Sequence, residues 1–441
     1  YSPTALHLVE PPEGIEYLPK LPILSPSTTS GPTDIYPENR KVLTSPLSSN
    51  AALSHIKVSL STLSYPCNNC SLCGNNSVIT FPSQVTFIPD NAFSGCSSIV
   101  SVLIPSTVSR MGVNVFASCS QLRSVAIPTS VTYIDVGAFQ SCTSLTSISI
   151  PTSVSALYER VVAYCSSLSS FIIPTSVTYI GTRVFISCTS LTSISIPTSV
   201  SYISDGAFFS CSSLTTISIS TSVSGLSWCV FQSCTSLPSV TIPTSMNTIF
   251  DGTFAYCYSL SSVFIPTSVT SFHISAFLSN FAAISFSIPT SVIAIDYYVF
   301  SLCTSLTTIT IPTSVSYLNA NIFQYCSSLT SIYIPTSISA LTINFCYYCT
   351  SLTSITIPTS VTAIDSGAFY SCTSLNCVII FGSPNIDSTA FSGAPRGGCP
   401  TYQPTRPTTL PTYSPTFQPS SHPSRKPTRQ PSHQPGMSPT Q

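Results

Sequence analysis

Hydrophobic and polar residues alternate along this chain in a pattern that repeats every 23 residues. In the unit 128–150, Ile148 and Ile150 alternate with Ser147 and Ser149. This period of two is typical of a short strand with one buried face. The proline that follows each such pair has no amide hydrogen to donate, so it ends the strand. We therefore predict one short strand in every unit.

The prolines and a set of cysteines keep the same period over most of the chain. Thirteen unit starts lie in one frame from Pro82 to Pro358, with Ser220 in place of one proline. A cysteine recurs in constant phase from Cys96 to Cys372, and Asn280 is its one interruption. A fixed period of this length predicts a solenoid of stacked coils, because a single unit cannot bury its own apolar residues.

The second half of each unit carries the sequence pattern of a turn. Phe139 and Cys142 are three residues apart, which suits a short helical or 3₁₀ turn. Acidic residues precede this turn in two registers, and we expect them to cap its free amides rather than to bind calcium. These residues are Asp135, Asp296 and Asp365, and, one position later, Asp90, Asp205 and Asp251.

The motif LxxIxIPxxVxxIxxxAFxxCxxL resembles the BspA-like class of leucine-rich repeats, and it extends from residue 78 to about residue 395. The resemblance implies a leucine-rich-repeat solenoid. Such a solenoid is a curved right-handed rod with a parallel β-sheet on its concave side and short turns or 3₁₀ segments on its convex side. Members of this class are typically secreted or cell-surface proteins that act in adhesion and recognition. The resemblance brings no catalytic residues and no cofactor.

Changes in composition divide the chain into four parts. Residues 1–50 form an arm rich in Pro, Ser and Thr, and residues 51–77 form a cysteine-containing N-terminal cap. Residues 78–399 comprise the solenoid of about thirteen repeats with its C-terminal cap. Residues 400–441 are a basic tail in which proline recurs every fourth residue from Pro407 to Pro439, so we expect an extended polyproline-like conformation. This tail resembles the PTxxPS-type stalks of eukaryotic surface proteins.

The charge balance favours an extracellular protein. Lys and Arg together number 13, Asp and Glu number 13, and charged residues make up only 6% of the chain. Serine and threonine therefore supply the polar surface, which is ordinary for a glycosylated secreted or wall protein. Nucleic acid is a poor partner for such a chain, and no apolar run reaches the 18 or so residues that a spanning helix needs.

The cysteines have two predicted roles. We expect the periodic cysteines to be reduced and buried, because free cysteine packs as a small hydrophobe. Cysteines in the predicted caps are instead candidates for disulfides, since no fourth ligand with metal-site spacing accompanies the N-terminal group. These candidates are Cys67, Cys70, Cys73, Cys377 and Cys399, and the nearby Asn69 and Asn75 lie in N-x-Ser glycosylation motifs.

Candidate binding residues interrupt an otherwise hydroxyl-rich strand surface. The outward positions two and four residues before each proline are almost all Ser or Thr, but Ile172, Phe264 and Tyr333 are exceptions. Trp228, the one tryptophan, lies in an irregular unit that also contains Ser220. We interpret these four residues as candidate ligand contacts. The alternatives are a merely solvated face and local decay of the repeat.

The sequence therefore favours a non-enzymatic extracellular recognition or adhesion protein. We found no phosphate loop, Ser-His-Asp set, HExxH motif or paired catalytic carboxylates. The expected partner is a glycan or protein of the cell surface or matrix. The alternative is a self-assembling structural subunit of a wall layer, filament or surface hair, and ice binding is a third and weaker hypothesis.

Overall fold

The structure, a computed structural model, describes residues 78–395. The predicted arm, N-terminal cap and polyproline tail lie outside the described residues. The same holds for the glycosylation motifs at Asn69 and Asn75 and for four of the disulfide candidates, namely Cys67, Cys70, Cys73 and Cys399. The part that is described contains most of the predicted solenoid.

Each coil of the described part contains up to two strands, one of three or four residues and one of two residues. We call them the long and short strands. In chain order they are β1 (Val78–Thr80), β2 (Phe87–Ile88), β3 (Ser101–Leu103), β4 (Arg110–Met111), β5 (Ser124–Ala126), β6 (Tyr133–Ile134), β7 (Ala156–Leu157), β8 (Tyr179–Ile180), β9 (Ser193–Ser195), β10 (Tyr202–Ile203), β11 (Thr216–Ser218), β12 (Gly225–Leu226), β13 (Ser239–Thr241), β14 (Thr248–Ile249), β15 (Ser262–Phe264), β16 (Ser271–Phe272), β17 (Ser285–Ser287), β18 (Ala294–Ile295), β19 (Thr308–Thr310), β20 (Tyr317–Leu318), β21 (Ser331–Tyr333), β22 (Ala340–Leu341), β23 (Ser354–Ile357), β24 (Ala363–Ile364), β25 (Cys377–Ile380) and β26 (Asn385–Ile386).

Every strand pair is parallel, and long strands pair with long strands while short strands pair with short strands. The register advances one 23-residue repeat per coil, as in the pairing of Ile194 with Ile217. The last coil is one residue shorter, because Ala363 pairs with Asn385. The predicted solenoid of stacked coils is thus confirmed. Its second ladder, formed by the short strands, was not predicted.

The turn of each coil differs from the predicted 3₁₀ segment. Between residues 78 and 395 there is no α-helix and no 3₁₀ helix. Instead, two residues per coil have left-handed backbone conformations, for example Gly137 at φ 64° and Ser141 at φ 60°. Alternate turn amides donate to the following coil, as Phe139 N does to Val161 O at 2.9 Å, while those between them donate within the turn, as Gln140 N does to Gly137 O at 2.9 Å. A helical turn is therefore unnecessary to satisfy them.

The acidic residues before the turn take the capping role for two of the six positions. The carboxylates of Asp135 and Asp296 each accept a hydrogen bond from the amide of the next residue, at 2.9 Å. Asp90 accepts one from Val113 N on the following coil at 2.8 Å. No group of three or more potential metal ligands occurs among the described residues. Asp135 and Asp296 thus cap the turns that they precede, whereas Asp90 connects two coils.

A column of phenylalanine rings fills the core beside the turns. Phe185, Phe208, Phe231 and Phe254 stack with ring centroids 5.1, 5.5 and 5.6 Å apart, and all four are fully buried. The repeat replaces one ring of the column by Val162, and in the same coil Phe171 packs edge-on against Phe185 at 4.8 Å. Phe171 therefore supplies a buried aromatic ring to the core of the coil in which Val162 replaces the usual phenylalanine.

Many Ser and Thr side chains link neighbouring coils instead of only facing water. In most coils the serine of the PTSV segment donates to the valine carbonyl of the preceding coil, as in Ser176 Oγ to Val154 O at 2.6 Å, whereas the hydroxyls of Ser199, Ser268 and Ser360 are buried without a partner among the described residues. Ser130, Ser222, Ser291, Ser314 and Ser337 repeat this bond at 2.6–2.8 Å. The sequence indicated only that hydroxyls dominate the surface, so their role in holding the coils in register is a finding of the structure.

Ser176→Ala is expected to lower the free energy of unfolding by about 1–2 kcal/mol, because the Val154 carbonyl loses its hydroxyl donor. Ser149→Ala should change it by less than about 0.5 kcal/mol, because Ser149 is exposed and its hydroxyl bonds to no described residue. Urea denaturation of both variants measures the difference. Equal losses would show that the inter-coil hydroxyl bonds do not stabilise the stack.

Candidate binding face

The outward residues of the long strands form an uncharged surface that we call the strand face. It consists of the first and third residues of each long strand, together with the equivalent positions in the coils at 147–149 and 170–172, where single bridges connect Ala126 to Ser149 and Ser149 to Ile172. The middle residues of these strands point inward, and most are buried. No charged residue occupies an outward position of this surface.

The hydroxyl groups of the strand face differ from those elsewhere on the described coils. None of them forms a side-chain hydrogen bond to another described residue, whereas most of the PTSV serines and several threonines bond to the neighbouring coil. Pairs such as Ser193 and Ser195, or Thr308 and Thr310, are exposed. Their donors and acceptors are thus available for a ligand in addition to water.

Three of the four sequence-predicted residues lie in one column of the strand face. Ile172, Phe264 and Tyr333 all occupy the third residue position of the strand, with 81%, 62% and 60% of their surface exposed. Leu103, which the sequence analysis did not single out, lies in the same column and is 56% exposed. The sequence could have identified Leu103, because it replaces the usual Ser or Thr two residues before a proline, as the other three residues do.

The column residues are too far apart to contact one another. Ile172 and Phe264 are four repeats apart, and Phe264 and Tyr333 are three repeats apart. At about 4.8 Å per coil these steps are roughly 19 and 14 Å. A single ligand that contacts two of these side chains must therefore be extended along the stack.

A shallow recess lies beside Tyr333. Its volume is about 280 Å³, and it is formed by strands β19, β21 and β23. Outward hydroxyls of Thr308, Thr310, Ser354 and Thr356 border it, together with Tyr333. The recess combines an exposed aromatic ring with several free hydroxyls, a combination that suits a polar, uncharged ligand.

The structure places Trp228 away from the strand face. It is 55% exposed and lies at the start of a turn, immediately after the short strand β12 and Ser227. Two coils further on, His273 Nδ1 lies 3.6 Å from the Asp251 carboxylate, and this contact raises the pKa of His273. The two irregular coils are therefore near each other in the stack, but they do not join the column of Ile172, Phe264 and Tyr333.

The periodic thiols lie in the core and are poor nucleophiles. Cys142 Sγ donates to Phe116 O at 3.2 Å, and Cys211 Sγ donates to Phe185 O at 3.1 Å, on the preceding coil in each case. Burial raises the pKa of Cys165 and of Cys211 to about 12. Since the thiolate is the reactive form, these positions are suited to packing rather than chemistry.

Two cysteines of the described coils form disulfide bonds, whereas the others are free thiols. The prediction that the whole periodic row is reduced is wrong for Cys96, which is disulfide-bonded, as is Cys377. The physical reason is the position of Cys96 at the start of the row, next to the predicted N-terminal cap, whose sequence contains three further cysteines. The pairing of the cap cysteines stays a prediction.

Comparison with known proteins identifies the family. The BspA type leucine rich repeat region matches residues 64–192, 158–282 and 274–396. The chain belongs to the BspA-type leucine-rich-repeat family. A leucine-rich repeat protein from Bacteroides ovatus is 27% identical with a TM-score of 0.54, and the match covers 72% of this chain and 84% of that one. Comparison with curated proteins gives no match.

Two further leucine-rich repeat proteins with solved structures are similar to this chain. A leucine rich cell surface protein from Faecalibacterium prausnitzii is 27% identical over 73% of this chain and 92% of that one, with a TM-score of 0.47. The Treponema pallidum leucine rich repeat protein is 31% identical over 38% of this chain and 80% of that one, with a TM-score of 0.35. The BspA-type solenoid is generally a non-enzymatic scaffold, and no helix between residues 78 and 395 is long and apolar enough to cross a membrane.

Proposed function

We propose that this BspA-type protein is an extracellular recognition protein that binds an extended, uncharged glycan, or a protein segment of similar character, along the strand face. The observation that carries the proposal is the contrast between hydroxyls. Those of the strand face have no described intramolecular partner, while equivalent residue types elsewhere bridge the coils. Cell-surface relatives support an extracellular location.

The column of apolar residues supplies the nonpolar part of this surface. Ile172, Phe264 and Tyr333 project from rows of hydroxyls, so a ligand can place apolar groups on the rings and hydrogen-bond to Ser and Thr between them. The absence of charge on the strand face favours neutral over acidic partners, since a charged partner would lose hydration without gaining an ion pair.

The test compares two triple variants of the full chain on an array of neutral and acidic polysaccharides. Ile172→Ser, Phe264→Ser and Tyr333→Ser should together reduce affinity for the retained neutral polysaccharide about tenfold or more. The matched control replaces Ile293, Tyr317 and Ile343, which are 54%, 56% and 49% exposed but lie off the long strands. Equal binding by both variants would contradict the proposal.

Self-assembly is the second candidate function, and the same uncharged surface favours it. A sheet face without Lys, Arg, Asp or Glu lacks the like-charge repulsion that normally keeps such surfaces apart. Sedimentation of the unmodified chain and of the triple variant with serine at 172, 264 and 333 distinguishes the two functions. Concentration-dependent assembly that the variant loses would favour a structural subunit, whereas a monomer that binds polysaccharide would favour recognition.

Ice binding fits the strand face less well than either function. A surface that matches ice must be flat and regular, but bulky side chains interrupt the hydroxyl rows at Leu103, Ile172, Phe264 and Tyr333. A measurement of thermal hysteresis tests this third function, and we expect none.

A further inference from the structure

Four tyrosines cluster on the turn side of three consecutive coils near residue 350. The ring centroids of Tyr325 and Tyr348 are 5.3 Å apart, and those of Tyr347 and Tyr370 are 5.0 Å apart. Tyr325 and Tyr347 are also in contact, with centroids 5.7 Å apart. This tyrosine cluster lies outside the strand face and takes no part in the proposed binding of a ligand there.

Local backbone preference works against tyrosine at two of these positions. Tyr325 and Tyr348 have left-handed backbone conformations, with φ of 60° and 58°. Serine or glycine fills the same position in most coils, for example Gly95, Ser118, Ser141, Ser187 and Ser210. A bulky residue at positive φ costs about 1–2 kcal/mol. Tyr325 and Tyr348 therefore adopt this conformation at a local energetic cost.

The rings of the cluster leave few faces open to a ligand. Tyr347 and Tyr370 stack almost parallel, with 12° between their planes, so each covers a face of the other. This arrangement argues against a platform for sugar rings, which requires open aromatic faces. The four phenol hydroxyls, in contrast, form no hydrogen bond to any described residue, and Tyr348 is 37% exposed.

We propose that the tyrosine cluster is a site of oxidative coupling, in which hydrogen peroxide and a peroxidase-type oxidant join Tyr347 to Tyr370 as dityrosine. Each phenol loses one electron and one proton, and the two phenoxyl radicals form a bond between ring carbons ortho to the hydroxyls. Each ring then regains aromaticity by moving its ortho hydrogen to oxygen. The peroxide takes up the two electrons and two protons and leaves as two water molecules.

The bond would connect residues 23 positions apart in sequence on neighbouring coils. It would therefore tie two coils together near the C-terminal end of the solenoid, in the same direction in which the hydroxyl bonds connect them. Tyr325 and Tyr348 form a second pair with the same separation. Burial raises the pKa of Tyr325 and Tyr347, so both remain protonated phenols at neutral pH and lose their proton together with the electron.

The experiment treats the full chain with hydrogen peroxide and a haem peroxidase at a concentration that keeps it monomeric. Dityrosine is detected by fluorescence, and the linked residues are mapped by mass spectrometry of a chymotryptic digest, because no Lys or Arg lies between Arg183 and Arg396. We expect a peptide pair containing Tyr347 and Tyr370 that is lighter than the two free peptides by two hydrogen atoms.

Conservative variants separate coupling from folding. Tyr347→Phe and Tyr370→Phe keep the ring but not the phenol, so each should retain the circular dichroism spectrum and lose this cross-linked pair. The matched control is Tyr164→Phe, since Tyr164 is 39% exposed, has φ of 60° and contacts no other described aromatic ring. It should leave the yield unchanged. The proposal would be overturned if no cross-link formed within the cluster, or if both cluster variants gave the same intramolecular yield as the unmodified chain.

Discussion

Raising the pH from 8 to 10 is expected to unfold the solenoid through its buried thiols. Burial raises the pKa of five of them from 9.0 to about 12, namely Cys119, Cys165, Cys211, Cys257 and Cys303. Because the folded pKa is the higher one, the stabilisation is complete below about pH 9 and declines as the pH rises towards 12. At pH 10 each such thiol lowers the free energy of unfolding by about 1 kcal/mol, so the five together lower it by several kcal/mol.

A loss of that size is comparable to the whole stability of a typical domain, which is about 5–15 kcal/mol. The measurement is urea denaturation in oxygen-free buffer between pH 7 and pH 11. Tyrosines with raised pKa values, such as Tyr133 and Tyr256, shift stability in the same direction. A thiol-specific reagent therefore provides the control, and the row cysteines should react only upon unfolding. A free energy of unfolding that stays constant up to pH 11 would contradict the claim that burial of the periodic thiols makes the stability depend on pH.

Replacing Phe208 with alanine is expected to lower the free energy of unfolding by about 3–5 kcal/mol. Phe208 is fully buried and stacks between Phe185 and Phe231, so its removal opens a cavity within the aromatic column. The coils on either side should lose protection first, because each coil of a solenoid contacts only its neighbours. Hydrogen exchange measured by mass spectrometry locates this loss along the chain.

Phe264→Ala is the matched control for that experiment. Phe264 is 62% exposed on the strand face, so its truncation should change the free energy of unfolding by less than about 0.5 kcal/mol. A similar loss for both variants would show that the stacked phenylalanines do not dominate the stability of the solenoid. A loss for Phe208→Ala alone would support the structure of the core.

Sequence reasoning identified the frame, the long strands and the family because their signals are periodic. The alternation around Ile148 and Ile150 recurs in phase with proline and cysteine, and periodic burial is what a stack of coils requires. The short strands were missed because a segment such as Tyr202–Ile203 buries only one side chain, which is too short for a period of two to be seen.

The short turn was predicted but its 3₁₀ form was wrong, because helices and left-handed turns can place the same residues three apart. Phe139 and Cys142 suit either conformation, and of the two residues with positive φ only the glycine at 137 indicates it, because serine at 141 has no such preference. The sequence could not show which hydroxyls bond to a neighbouring coil and which face solvent. Ser176 and Ser149 are the same residue type at similar spacing from proline, and only the stacking of coils shows that one bonds to a carbonyl while the other faces solvent.

The candidate site was predictable only as a set of exceptions to the repeat. Ile172, Phe264 and Tyr333 stood out because they replace hydroxyl residues, and the structure places them in one exposed column. Trp228 stood out in the same way, yet it lies on a turn, because a break in the pattern shows that a position is unusual without showing which surface it serves.

The claim that the strand face binds the partner is tested most directly by hydroxyl-radical footprinting. The full chain is oxidised with and without the neutral polysaccharide that it retains on the array, and oxidation is mapped by mass spectrometry. The account predicts that the polysaccharide protects Ile172, Phe264 and Tyr333 while Trp228 and Tyr317 stay as reactive as in the free chain. Protection of the turn residues with an unchanged strand face would contradict it.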